Sequence, residues 1–315
     1  MAKKKDTAQA AQVQQLRALA GNPQAQADYA ITLLQARNGF EVVLAALQIL
    51  TRQPWSAARG ALLDLYSHYS SHGQKLDPAA YLRAAILRAL REIVLPADAP
   101  FLAQATETFV FPPPEFKEEG AMLRSAALLA LVEVEDELAR YHAVRLLANE
   151  HTDRMSAEPA LTAAKTLAAQ GETTALYFYV MQDGAHTLPE VVSTCLSNLV
   201  HLRPDLLPGI VTRYGESKDE VVLVGLFDLL LNHRAGVQGQ AFLTNFLQQS
   251  QHLDAYRYLT VTMVTSGKPS VVQLLLDASK VGLPKAKAAI LREALALTAD
   301  HDPTVARFVE QSTLL

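Results

Sequence analysis

The sequence predicts an all-α protein, and three observations carry that expectation. Apolar residues recur at i, i+3, i+4 and i+7 through segments of about 10 to 19 residues, the spacing of one helix face. Helix breakers fall between these segments at intervals instead of being scattered. Gly accounts for only 14 of the 315 residues, about 4% where about 7% is usual. Tyr177-Phe178-Tyr179-Val180 is β-prone in composition but sits inside a segment of helical length. Half the chain is hydrophobic and 19% is charged, which suits a large core and excludes a disordered chain.

Taken in order, residues 1–22 read as a polar segment and capping helix closed by Gly21-Asn22-Pro23. The basic start Met1-Ala2-Lys3-Lys4-Lys5-Asp6 has no apolar stretch behind it, so a secretory signal is not expected. Breaks follow at Asn38-Gly39, Gln53-Pro54, His72-Gly73, Asp77-Pro78, Pro96 through Pro100, Pro112-Pro113-Pro114, Glu150 to Ser156 and Gln170-Gly171. Later ones are Asp183-Gly184, Arg203-Pro204, Tyr214-Gly215, Ala235-Gly236, Ser266 to Pro269, Gly282 to Pro284 and Asp300 to Pro303. Asp77 before Pro78 reads as cap followed by first helical residue, and Ser217 opens a start whose acidic residues suit the positive helix end. The most apolar stretches, Ala126 to Val134 and Val221 to Leu231, fall short of the ~20 residues that span a bilayer.

The helices repeat. Leu82-Arg83-Ala84-Ala85-Ile86-Leu87-Arg88-Ala89-Leu90 and Leu123-Arg124-Ser125-Ala126-Ala127-Leu128-Leu129-Ala130-Leu131 share an apolar anchor, an Arg, and small or apolar residues at +3, +4, +7 and +8. Fainter copies put anchors at 43, 82, 123, 161, 192, 222, 256 and 287, separated by 39, 41, 38, 31, 30, 34 and 31 residues. At the last, Lys287 stands where the apolar anchor belongs. Each interval holds a second helix, so stacked helical hairpins are expected, none able to bury its apolar face alone. Ala85, Ala126, Cys195 and Gly225 share the +3 position and should be buried where helices approach closely.

The stretch Asp77-Pro78 to Leu90 resembles the second helix of a HEAT repeat, and the likeness extends more faintly over residues 23–310. It implies an α-α superhelix, a HEAT/armadillo-like solenoid of about eight helical hairpins forming one domain over residues 23–315. It also implies that Arg83 and Arg124 are ladder residues pairing with an acid between repeats, and that each second helix lines a concave side.

Chemistry is sparse. Ser266-Gly267-Lys268-Pro269 has Thr262 where a phosphate loop needs its first Gly and Pro269 where it needs Ser or Thr. Asp64, His68 and His72 share one helix face at i, i+4 and i+8, but histidines near a helix C-terminus suit its dipole without a metal. His151 with Asp153, and His301 with Asp302, fall in loops. Cys195 takes a core position, where a buried small hydrophobe is expected instead of a nucleophile. No catalytic residue, cofactor or metal site is expected, and no enzyme. Phe111-Pro112-Pro113-Pro114-Glu115-Phe116 reads as a stiff connector, with polyproline recognition as the alternative.

The net charge is −4, and it is uneven: +4 over residues 1–100, −9 over 101–250 and +1 over 251–315. An acidic middle argues against a nucleic-acid groove, and a single Cys suits a reducing, cytoplasmic setting. The expected role is a non-enzymatic scaffold or adaptor for a protein or peptide partner, with no membrane contact. The alternative is a nucleic-acid-acting enzyme, because some HEAT-like solenoids are DNA glycosylases; Trp55 is the only tryptophan to serve one. The +5, +6 and +9 positions, facing away from the anchor face, mark the expected binding surface. Arg52, Arg88, Arg91, Leu128, Leu129, Asn198, His201 and Phe227 represent it.

Overall fold

A computed structural model describes residues 2–182, 187–280, 282–298 and 305–306. His301 and Asp302 and the Asp183-Gly184 break lie outside them. The described residues are helical, with no strand among them. No helix among them is long and apolar enough to cross a membrane.

The chain divides into two compact units, 1–170 and 171–315. The division falls at the Gln170-Gly171 break, after the anchor intervals shorten from about forty residues to about thirty. The first unit holds α1 (Ala2–Ala18), α2 (Pro23–Leu33), α3 (Phe40–Arg52), α4 (Arg59–Ser71), α5 (Gly73–Leu76), α6 (Tyr81–Leu90), α7 (Ala99–Thr106), α8 (Ala121–Val132), α9 (Asp136–Leu147) and α10 (Ala160–Ala169). Four helix pairs form it, α2 with α3, α4 with α6, α7 with α8 and α9 with α10. The second members also pack in sequence, α3 on α6, α6 on α8 and α8 on α10. Asn22 caps α2 by accepting the Ala25 N–H at 3.1 Å, and Pro23 fills the first turn.

The second unit holds α11 (Thr173–Met181), α12 (Pro189–Ser197), α13 (Leu207–Tyr214), α14 (Glu220–Asn232), α15 (Gln240–Gln249), α16 (Leu253–Thr265), α17 (Pro269–Ser279) and α18 (Lys285–Ala296). Here α12, α14, α16 and α18 pack one on the next, with α11 on α12 and α13 on α14. The cap of α14 is Asp219, which accepts the N–H groups of Val221 at 2.9 Å and Val222 at 3.3 Å; Ser217 lies before it.

The +3 positions are buried in both units: Ala46, Ala85, Ala126, Cys195 and Gly225. Gly225 is the tightest, since a Cβ there would fall 2.5 Å from the Ser193 carbonyl oxygen on α12. Burial also pushes the Cys195 thiol well above its ordinary range, as expected of a core residue.

Lys287 is buried at the anchor position of α18. Its Nζ donates to the carbonyls of Leu247 at 2.9 Å and Gln248 at 3.1 Å, the last turn of α15, and lies 5.0 Å from the Tyr256 ring. A cation capping a helix C-terminus therefore replaces the lost apolar contact.

Candidate functional site

The long repeats of the first unit differ from the short ones in the connection between their two helices. Residues 72–80, 107–120 and 148–159 form three such connections, each carrying a carboxylate that turns back onto the helix it precedes. Asp77 accepts Leu82 N–H at 2.9 Å and Arg83 N–H at 3.1 Å. Glu118 accepts Gly120 N–H at 2.6 Å. Glu158 accepts Thr162 N–H at 3.2 Å and the Ser125 hydroxyl at 2.8 Å.

Arg83 and Arg124 complete two of these connections. Arg83 Nε donates to Asp77 Oδ2 at 3.0 Å and its Nη2 to the Asp77 carbonyl at 3.1 Å. Arg124 pairs both terminal nitrogens with Glu118, at 2.6 and 2.9 Å. In both cases the acid stands six residues before the arginine, inside the same repeat and not between repeats as expected. Asp77 likewise is not the residue preceding helix α6: it caps from upstream, past Ala80, whose φ is 56°. Only Arg124 reaches the next connection, donating to the His151 carbonyl at 2.9 Å while Phe109 covers its guanidinium at 4.5 Å. Arg124 is 0% and Arg83 6% exposed, so both serve as buried supports and neither offers free charge at the surface.

These supports hold an apolar loop end toward solvent. Phe109, Phe111, Phe116, Met155 and Leu76 are all exposed there, Met155 to 97%. Phe109 and Phe111 stack with centroids 6.5 Å apart, and His151 meets both edge-on. Between residues 70–78 and 109–112 lies a cleft of about 510 Å³, lined among others by His72, Lys75, Arg83, Phe109 and Phe111. A second cavity of about 350 Å³, between α4 and α7, shares Ser70 and Arg83 with it. Gly73 lies against the Arg83 guanidinium, where a Cβ would come within 3.2 Å of Nη2.

The expected surface fares unevenly. Arg52, Arg88 and Arg91 are exposed on the first unit, and Asn198 and His201 on the second. Arg91 is paired with Glu133 at 2.8 Å, and Asn198 donates to the Thr194 carbonyl at 2.8 Å. Leu129 is half-buried. Leu128 and Phe227 are fully buried and belong to no surface. Both are +5 positions, about 130° from the centre of the anchor face. A second helix packed between a partner and two neighbours is covered on that flank too. The periodicity alone sees one buried face where packing makes nearly three.

Other chemical candidates are structural. The His68 and His72 rings stack at 4.8 Å, and His72 Nδ1 lies 3.0 Å from the His68 carbonyl oxygen. No three His, Cys, Asp or Glu side chains converge among the described residues. Thr106 Oγ1 and His142 Nδ1, 2.7 Å apart, look like a nucleophile and its base. However, the Thr106 hydroxyl donates to the Ala103 carbonyl at 2.7 Å, so its one proton is committed and the imidazole is the donor. Both groups are buried. His233 is likewise held by the backbone: Nδ1 accepts Ala235 N–H at 3.0 Å and Nε2 lies 2.7 Å from the Leu202 carbonyl oxygen.

No family model matches the chain, and neither a curated protein nor a solved structure matches it. The sequence pointed to the site only indirectly. The acid six residues before each ladder arginine, the long intervals, and the aromatics flanking Pro112-Pro113-Pro114 were all visible. The segment reads as a connector because nothing in a sequence shows which aromatic rings face water.

Proposed function

We propose that this protein is a non-enzymatic interaction module: a HEAT-like α-solenoid of about eight helical hairpins that works in the cytoplasm as a scaffold or adaptor. Its partner is a protein or peptide, held at the loop end of the first unit. The observation that carries this reading is the exposed Phe109–Phe111 pair, packed with His151 over the buried Arg124–Glu118 ion pair, with Phe116 on the same loop and Met155 on the next one also exposed. An apolar patch costs solubility, and contiguous ones mark interaction surfaces. Aromatic and Met side chains are also the types enriched in interface cores. The buried arginines are used up in supporting the loops, which supports binding over chemistry.

The test is affinity purification of the full chain from its native host, with a Phe111→Asp, Met155→Asp variant beside it. One stoichiometric protein partner should be retained by the wild type and lost by the variant, whose melting midpoint should be unchanged. Absence of any stoichiometric partner, or salt-dependent DNA binding accompanied by base excision, would overturn the reading in favour of the nucleic-acid enzyme.

A further inference from the structure

The backbone lining the cleft is only half paired. Residues 108–112 belong to neither helix nor turn. Val110 donates its N–H to Glu118 Oε1 at 3.2 Å and accepts the Glu119 N–H at 2.9 Å, so both its polar groups are taken from the 118–119 side. Phe109 and Phe111, on either side of it, make no backbone hydrogen bond among the described residues, and both line the cleft. In a strand, alternate residues turn their N–H and C=O groups to opposite edges. This pattern is that of a strand edge paired on one side and vacant on the other.

The side chains restrict what can occupy the edge. His72, Lys75 and Arg83 line the cleft and, among the described residues, no Asp or Glu does. Asp77 neutralises Arg83, whereas Lys75 is exposed and has no ion pair among the described residues. Beside it the half-exposed rings of Phe109 and Phe111 present an apolar face. The same loop carries exposed Glu115 and Glu119, which repel a continuous polyanion. A nucleic-acid strand needs cations along its length. A short peptide needs one.

We propose that the cleft captures an extended segment of the protein partner by strand-like backbone pairing along Phe109–Phe111. An acidic side chain of the segment meets Lys75 and an apolar one lies on Phe111. The proposal rests on the interaction-module reading and specifies its partner. Its volume of about 510 Å³ falls within the range of small-ligand and peptide pockets, and the pairing is the β-strand addition used by several peptide-binding domains.

Full-length protein is panned against phage-displayed random dodecapeptides, and the enriched peptide is synthesised and measured by fluorescence anisotropy. The selected sequences should place Asp or Glu beside an aromatic or aliphatic residue. Lys75→Glu, an exposed change that should leave the circular dichroism and melting intact, should weaken binding by about tenfold, the scale of one close charge pair. N-methylation of alternate peptide amides should abolish binding while the intervening amides tolerate it. The proposal is overturned if no peptide is enriched, if Lys75→Glu binds equally, if N-methylation shows no alternation, or if a twelve-nucleotide oligothymidylate displaces the peptide. Should Lys75→Glu and Phe111→Ser both still retain the native partner, this cleft is wrong and the interaction module stands. A wild type without any partner overturns the module itself.

Discussion

At the scale of single residues, Arg124 shows what a buried charge does here. The two terminal nitrogens of its guanidinium, 0% exposed, are matched by Glu118 and by the Thr108 and His151 carbonyls, while Nε is buried without a hydrogen bond among the described residues. Removing one partner of such a pair leaves the other charge buried and alone, which typically costs about 3–5 kcal/mol. Arg124→Ala should therefore lower the unfolding free energy by about that amount in denaturant titration, while Arg52→Ala, on an exposed side chain, should change it by less than about 0.5 kcal/mol. His142 makes a pH-dependent contribution. Burial depresses its imidazole below the usual value, an effect that outweighs the nearby Glu107 carboxylate. The unfolded chain then binds the extra proton first, so the folded state loses stability as pH falls from the unfolded histidine value toward the lower folded one. Between pH 7 and 5, wild type should lose stability relative to His142→Asn; an equal loss in both would exclude His142 as the source.

At the scale of elements, two glycines in neighbouring helices of the second unit should respond in opposite directions. A Cβ at Gly225 meets the Ser193 backbone at 2.5 Å, and backbone cannot swing aside as a flexible side chain can. Gly225→Ala should push α14 off α12 and cost about 1–3 kcal/mol, the usual range for overpacking. Gly209, in α13, has nothing within 4 Å of its Cβ position. Gly209→Ala should stabilise by about 0.4–1 kcal/mol by restricting the unfolded chain. Thermal melts of the two variants test the packing of α12 against α14 directly. Equal effects would mean that the approach is not as close as described. Helix ends show a similar division of labour. Asp219 caps α14 by its side chain, whereas the C-terminus of α15 depends on Lys287 reaching across from α18.

At the scale of the molecule, the two units differ in the connections between their helices. The first has long connections braced by Asp77, Glu118 and Glu158; the described connections of the second are shorter, and in one of them Asp219 caps α14 from the adjacent position. Within each unit the helices contact mainly their near neighbours in sequence, so a local lesion spreads only as far as the unit it belongs to. Hydrogen exchange should accordingly report Arg124→Ala as lost protection within residues 2–170 and Gly225→Ala as lost protection within 171–298. Uniform loss across the chain in either variant would show one cooperative body instead of two.

Much of this was determined by the sequence alone. The helical period, the clustered breakers and the small residues at +3 specify helices in pairs, because an apolar stripe has to be buried and paired breakers such as Asn22-Pro23 and Gln53-Pro54 separate one stripe from the next. Tertiary structure decided what lies on the other flank of each helix. Periodicity records the average direction of the apolar side chains, and a helix packed on several sides buries residues outside that direction, as Leu128 and Phe227 show. It also decided that Lys287 could occupy a core position, since a lysine is tolerated there only with carbonyls such as those of Leu247 and Gln248 within reach. The loop end with Phe109, Phe111 and Met155 was decided there as well. Which rings face water depends on contacts between segments far apart in the chain, and no local pattern encodes them.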